Sequence, residues 1–237
     1  MLAAGVGKRL RPLTLITPKP LVPLSSRESS LLRLVNNLRR LLDKDERIFV
    51  VLGYCSEPYY RYLRYRRDIV LIKDDELRGT AGQVKKVLEK HGENLNDVLL
   101  LNGDIYISER CLSEIVSRAR SSEEEVTMFL LRRKFKYGVV ELVNGSFRWI
   151  EKPSFLTVTG IYKMRAEILR KILYEMGRDR VDMNEVVGKM RDVGVRIGLT
   201  CLDCGEDELV DIGTILDFVK SLSLLNEDDI YDPSTRC

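Results

Sequence analysis

Leu2-Ala3-Ala4-Gly5-Val6-Gly7-Lys8-Arg9-Leu10-Arg11-Pro12-Leu13-Thr14 is an apolar stub, a glycine-rich turn and a basic run in succession. Glycine lets a backbone approach an anion closely, so that consecutive N–H groups face its oxygens. Arg9 and Arg11 add charged donors. The spacing of the two glycines fits neither the Rossmann fingerprint nor the Walker loop, so the stretch decides the fold only together with the segments downstream of it. Leu31, Leu32, Leu34, Val35, Leu38, Leu41 and Leu42 recur at helical spacing, with Ser29 or Ser30 as a cap. Residues 48–52 are a short, continuous apolar run that suits a strand buried on both faces. Residues 69–72 and 98–101 repeat that signal, and helices are expected after Ser56-Glu57-Pro58, after Gly79 and after Ser108. Strand alternating with helix implies a parallel sheet covered on both sides.

The pattern changes after about residue 125. Segments 137–143 and 146–151 flank Asn144-Gly145, a strong hairpin signal. A strand is expected near 158–163, helices near 165–177 and 183–193, a strand at 195–202 and a last helix from about Thr214. The fold class is therefore α/β: Rossmann-like, with a mixed, mostly parallel central sheet flanked by helices, an inserted β-hairpin portion, and a first strand truncated to a stub.

Five further elements have chemical promise. In Pro18-Lys19-Pro20-Leu21 two prolines hold a lysine in extended backbone, which pre-orients one ammonium; read blandly, it is a surface loop. Gly79-Thr80-Ala81-Gly82 stands where a helix begins, and small residues there admit a flat base or an anion; the alternative is a tight turn with a threonine cap. Asn102-Gly103-Asp104 follows a strand end, where ligands of open α/β sheets bind. A carboxylate there suits a magnesium ion that bridges substrate phosphates, and equally an Asx turn. Glu151-Lys152-Pro153 closes the expected hairpin, and Asp211-Ile212-Gly213-Thr214 precedes the last helix, where Asp211 is either a second metal ligand or an ordinary helix-start residue.

Taken in order, these elements resemble the sugar-1-phosphate nucleotidyltransferase family, in its short form without a β-helix domain. The family's LAAGxGxRLxPLT, PKPL, GTAG, NGD, YGV, EKP, GIY and DIGT motifs stand here at residues 2–14, 18–21, 79–82, 102–104, 137–139, 151–153, 160–162 and 211–214. The resemblance implies transfer of a nucleotidyl group from a nucleoside triphosphate to a sugar 1-phosphate. It implies that Leu2, Ala4, Gly5 and Gly7 cradle the triphosphate and nucleoside, joined by Gly79, Thr80 and Gly82 at the base and by Asn102 and Gly103. Arg9, Lys19 and Lys152 would be the catalytic cations, with Asp104 and Asp211 holding Mg2+. Tyr137, Gly138, Glu151, Lys152, Thr159 and Gly160 would bind the sugar phosphate. Residues 1–226 then form a single domain, with a nucleotide-binding half (1–124), a sugar-phosphate-binding half (125–226) and a polar tail at 227–237. The resemblance also departs in places. The family usually carries several apolar residues before the first motif, Thr157-Val158-Thr159 replaces an asparagine that often precedes GIY, and Lys8 stands where many members have threonine.

Composition narrows the partners. The chain has 237 residues with a formal net charge of +3, too weak a balance to argue for nucleic acid. Arg61, Arg64, Arg66 and Arg67 read as a solvated helix face more readily than as a phosphate-tracking stripe. No stretch approaches the roughly 18 apolar residues of a membrane span, and residues 1–10 do not read as a signal peptide. The expectation is a cytoplasmic protein, monomer or homo-oligomer, with neither nucleic-acid nor membrane partner. A non-catalytic regulatory or binding subunit of the same fold is the alternative function. The five cysteines are a poor disulfide framework by their odd number; Cys201 and Cys204 form a CxxC at the end of a strand, which zinc or redox chemistry would also use. Glutamine occurs once, at Gln83, against abundant Glu, Lys and Arg, a balance that leans toward a thermophilic source.

Overall fold

The computed structural model describes residues 1–25, 28–76, 78–134, 139–144, 146–151 and 154–225. The first strand, β1 (Leu2–Ala3), is a stub as expected, and the basic run after it coils into two short 3₁₀ turns, Lys8–Leu10 and Leu13–Leu15. Helix α1 (Ser30–Leu41) starts where Ser29 Oγ accepts the Leu32 N–H at 3.3 Å, and it buries Leu31, Leu34, Val35 and Leu38. There follow β2 (Ile48–Leu52), α2 (Glu57–Leu63), β3 (Ile69–Lys73), α3 (Gly79–His91), β4 (Asp97–Leu100), β5 (Ile105–Ile107) and α4 (Glu109–Ser121). Ser108 Oγ caps α4 by accepting the Cys111 N–H. Ser56 stands at the head of α2 without a capping side-chain bond, since its own backbone is already helical; Pro58 in the first turn sets that start instead.

The second half begins with β6 (Val126–Lys134), a nine-residue strand that the sequence pattern did not reveal. Its inner part buries Val126, Phe129, Leu130 and Leu131 without alternation, so periodicity cannot tell it from a helix. The hairpin follows as β7 (Val139–Val143) and β8 (Ser146–Ile150), with Asn144 at φ 49° in the turn, a conformation that asparagine tolerates. Then come β9 (Ser154–Arg165), α5 (Ala166–Met176), α6 (Met183–Asp192), β10 (Ile197–Leu202), β11 (Leu209–Asp211) and α7 (Ile215–Ser223), the last capped by Thr214.

Parallel pairing joins β3 to β2 and β2 to β1. On the other edge of β1 the Leu2 N–H donates to Leu101 O at 2.9 Å and Leu2 O accepts the Gly103 N–H at 2.8 Å, so β4 continues the sheet. Strand β9 runs antiparallel to both β4 and β6, and β10 runs parallel to β6. The order is thus β3-β2-β1-β4-β9-β6-β10 with β9 reversed, a mixed and mostly parallel sheet. One face packs on α1, α2 and α4 through Leu31, Tyr59 and Ile115, the other on α3, α5 and α6 through Val84, Leu169 and Val186. Cys204 is not half of a metal or redox pair with Cys201. It is bonded to Cys111 at the start of α4, with the two Cα atoms 5.4 Å apart, and Cys201 is free on β10.

Candidate active site

The carboxyl ends of β1 and β4 meet at the middle of the sheet, where a strand order that reverses direction opens a crevice. Four of the expected residues come together there. Asp104 directly precedes β5 and Asp211 ends β11; these strands pair antiparallel, with Asp211 opposite Ile105 and the Ile212 N–H donating to Asp104 O at 3.1 Å. Two three-residue strands, whose Ile105, Tyr106, Ile107, Leu209 and Val210 are buried in the core, thus bring two carboxylates side by side at their ends. Lys19 Nζ lies 2.6 Å from Asp104 Oδ2 and 3.7 Å from Asp211 Oδ1. Arg9 arrives from the 3₁₀ turn: a Cβ placed on Gly213 would lie 3.6 Å from Arg9 Nη2 and 3.5 Å from Asp211 Oδ2. The Asp211 side chain is 62% exposed, and partial desolvation at the rim nudges its carboxyl upward; Lys19 opposes that shift, and the charge of Asp104 adds to it.

Lys19 does not lie in the extended backbone that its flanking prolines suggested. It starts a 3₁₀ turn, Lys19–Leu21, in which the Leu21 N–H donates to Pro18 O at 2.8 Å and the Val22 N–H to Lys19 O. Pro20 fits inside such a turn because the second helical position has no N–H obligation. The turn is anchored by Ser30 Oγ, which reaches both Pro20 O and Gly103 O. The two glycines of the first motif do different work. Gly7 is left-handed, at φ 68°, with Thr14 Cγ2 and Lys19 Cβ packed on it, and Thr14 Oγ1 donates to its carbonyl at 2.8 Å. A Cβ at Gly5 would meet nothing within 4 Å, so the protein itself does not require glycine there.

Asn102 and Gly103 stand as expected at the end of β4. Gly103 packs under Leu2 and Ala3, and Gly160, at φ 76°, comes within 3.0 Å of Asn102 Nδ2 measured from an added Cβ. That contact brings the second half of the chain to the crevice. Thr159 is different. Its hydroxyl donates to Phe129 O at 2.7 Å and accepts the Ile161 N–H, stapling the irregularity where the β6–β9 register shifts, so its proton is already committed to backbone.

The Gly79–Gly82 turn does open a helix, but its amides are not free for an anion. The Thr80 N–H donates to Asp182 Oδ1, and the Ala81 and Gly82 N–H groups donate to Val181 O at 3.0 and 3.1 Å. The small residues admit the 179–183 segment: a Cβ on Gly82 would lie 2.4 Å from Asp179 O. Glu151 is exposed at the end of the hairpin, whereas Tyr137, Gly138 and Lys152 lie outside the described residues. A cavity of about 540 Å³ between Met1, Phe49, His91 and Leu99 opens at the opposite, amino end of the strands and shares none of this charge.

Sequence reasoning missed two supporting residues. Gly53 follows β2, and an added Cβ would sit 2.5 Å from Ala4 Cβ; Tyr59 donates its hydroxyl to Ala3 O at 2.9 Å. A lone glycine after a strand was the available signal for the first; nothing in the sequence marks the second.

Among the described residues, no three His, Cys, Asp or Glu side chains converge as a protein cage for a metal. Two carboxylates that share one ammonium do fit a hard divalent cation that keeps its waters and binds substrate oxygens as well, and Lys19 stands where such a charge would be held. Arg9 and Lys19 face Asp104, Asp211 and Asp217, so the described cluster carries one net negative charge, and a divalent ion makes it one net positive. No helix among the described residues is long and apolar enough to cross a membrane.

Comparison with known proteins places the chain in a family. Among curated proteins, Mannose-1-phosphate guanylyltransferase 1 of Arabidopsis thaliana is 30% identical over 190 residues, 73% of this chain and 51% of that protein. The Bifunctional protein GlmU of Methanococcus maripaludis strain C5 is 26% identical over 204 residues, 82% of this chain and 47% of that one. The chain spans about half the length of these relatives. In fold it is similar to HddC of Yersinia pseudotuberculosis complexed with GMP-PN, with TM-score 0.69, 19% identity, and 94% and 96% of the two chains covered. It is similar also to the CTP:phosphocholine cytidylyltransferase of Streptococcus pneumoniae, with TM-score 0.65, 20% identity, and 95% and 97% covered. The model of the family described as Nucleotidyl transferase matches residues 1–227, and on that match the chain belongs to the nucleotidyl transferase family.

Proposed function

We propose that the protein joins a nucleoside triphosphate to a sugar 1-phosphate, giving a nucleotide sugar and pyrophosphate. The observation that carries this reading is Lys19 Nζ held between Asp104 and Asp211 beneath the glycine turn. The relatives' names support it, since they include a mannose-1-phosphate guanylyltransferase. Two polyanions must meet in one crevice, so alignment and charge stabilisation dominate the chemistry. The backbone at Gly5 and Gly7 receives the triphosphate. Arg9, exposed at the rim, neutralises its outer phosphates. Lys19 turns from the carboxylates to the α-phosphate as negative charge grows there. Asp104 and Asp211 would hold Mg2+, which would supply Lewis-acid stabilisation of the phosphate charge. A sugar-phosphate oxygen attacks the α-phosphorus in line as the bond to pyrophosphate breaks. That oxygen is already ionised near neutral pH, so no general base is needed.

The site assignments follow the same reading. Lys152 grips the sugar phosphate and Glu151 its hydroxyls, with Tyr137, Gly138 and Gly160 beside them. Leu2, Ala4, Gly79, Thr80 and Gly82 border the nucleoside, and residues 1–226 act as one domain in the cytoplasm. The test is pyrophosphate release across a panel of the common nucleoside triphosphates and hexose 1-phosphates with Mg2+. Release with at least one pair is expected; a folded protein that binds nucleotide and releases nothing with any pair would make it a non-catalytic relative.

A further inference from the structure

The nucleotide-facing turn is held from behind by a residue outside every motif. Tyr59 on α2 is fully buried, and its hydroxyl donates to Ala3 O at 2.9 Å. One residue later the Tyr54 N–H donates to Ala4 O at 3.3 Å. Two successive carbonyls are thus drawn toward the β2–α2 side of the chain. The peptide unit is planar and trans, so the C=O of one residue and the N–H of the next point in opposite directions. Fixing Ala3 O and Ala4 O on that side turns the Ala4 and Gly5 N–H groups the other way. That is the side of β1 on which the chain leaving β4 passes through Asn102, Gly103 and Asp104, because Leu2 bonds to Leu101 and Gly103 there.

We infer that Tyr59 is the positioning residue of the triphosphate-binding turn, aiming the Ala4 and Gly5 amides into the crevice without touching substrate. This rests on the proposed function for the identity of the anion. β1 pairs with β2 through two residues alone, so the ladder itself gives the turn little support. A hydroxyl bond to a buried carbonyl is strong support in return, since leaving that carbonyl unpaired is costly. Burial, reinforced by the negative charge of Asp104, pushes the phenol far above its ordinary pKa, so it remains a donor at every working pH.

The test is Tyr59→Phe, which keeps the ring and removes the bond. Binding of a fluorescent nucleoside triphosphate is titrated directly, and KM is measured for both substrates at a temperature where circular dichroism shows the variant folded. Nucleotide affinity should fall about 5- to 30-fold, as expected for an unpaired carbonyl that lets the turn rotate. The KM for sugar 1-phosphate should stay within about twofold. Tyr54→Phe, whose contribution is a backbone N–H, should match wild type. Gly53→Ala presses on Ala4 from the same side and should reproduce the nucleotide-selective loss, which keeps the idea testable if Tyr59→Phe proves too unstable. Unchanged nucleotide affinity in the variants, or an equal loss for both substrates, overturns the assignment and leaves Tyr59 a core residue. Wild-type protein that binds the triphosphate but releases no pyrophosphate with any sugar phosphate would sink the proposed reaction; the Tyr59 comparison would still be decided by the binding titration.

Discussion

Single residues in the crevice separate into those the fold needs and those the reaction needs. Gly7 belongs to the first group, at φ 68° with Thr14 Cγ2 and Lys19 Cβ 2.9 and 3.1 Å from where a Cβ would stand. Gly5 belongs to the second, since an added methyl would meet no protein atom. Gly7→Ala should therefore lower the melting temperature, by strain of about 1–3 kcal/mol, whereas Gly5→Ala should melt like wild type and raise the KM for the triphosphate. Thermal unfolding beside steady-state kinetics checks both. Arg9→Ala and Lys19→Ala should each lower kcat about 10²- to 10³-fold, the cost of losing a donor aimed at developing charge, with the circular dichroism spectrum unchanged. These residues were legible because glycine, basic and acidic residues in fixed order have few other uses together. Tyr59 was not: a tyrosine among tyrosines in 59–65 shows its role only when its hydroxyl is found on Ala3 O.

Elements were legible where one face or a continuous run made a pattern. The repeat in α1 and the apolar run of β2 needed no tertiary information. The short strands β5 and β11 did: three residues carry no period, and their pairing is decided by the rest of the fold. The same is true of the Gly79–Gly82 turn, whose small residues make room for protein and not for an anion. Gly82→Ala should thus destabilise the native state by about 1–3 kcal/mol, an overpacking cost against Asp179 O that denaturant unfolding would register. Before β11 the chain is clamped by Glu208, which accepts from Arg110 Nε, Ser108 Oγ and the Gly205 N–H at 2.8–2.9 Å. These bonds, Arg110 first, hold the Glu208 carboxyl down at about 2. A carboxylate depressed by folding adds stability that is present above its unfolded value and lost as pH falls through the folded one. Glu208→Gln should cost about 1 kcal/mol at pH 7, a figure discounted because Arg110 lies in solvent. The difference from wild type should shrink between about pH 4.5 and pH 2; a penalty independent of pH would show that the clamp is steric.

At the scale of the whole molecule, strand pairing runs from β3 to β10 through β1 and β4, with the Leu2–Asn102 bridge as the link between β1 and the end of β4. Heat or denaturant should unfold the chain in a single transition by fluorescence and circular dichroism alike, and two separated transitions would argue for two folding units. Charge works at this scale too. The overall balance of +3 says little, while the crevice sets Arg9 and Lys19 against Asp104, Asp211 and Asp217, the first two sharing the Lys19 ammonium. The net sign of that cluster depends on a divalent ion. The most direct test is pyrophosphate release by wild type, Asp104→Ala and Asp211→Ala, each with and without Mg2+. Wild type should turn over only with the ion, and both variants should stay folded and near background at every Mg2+ concentration. Undiminished, Mg2+-dependent turnover by either variant would contradict the account.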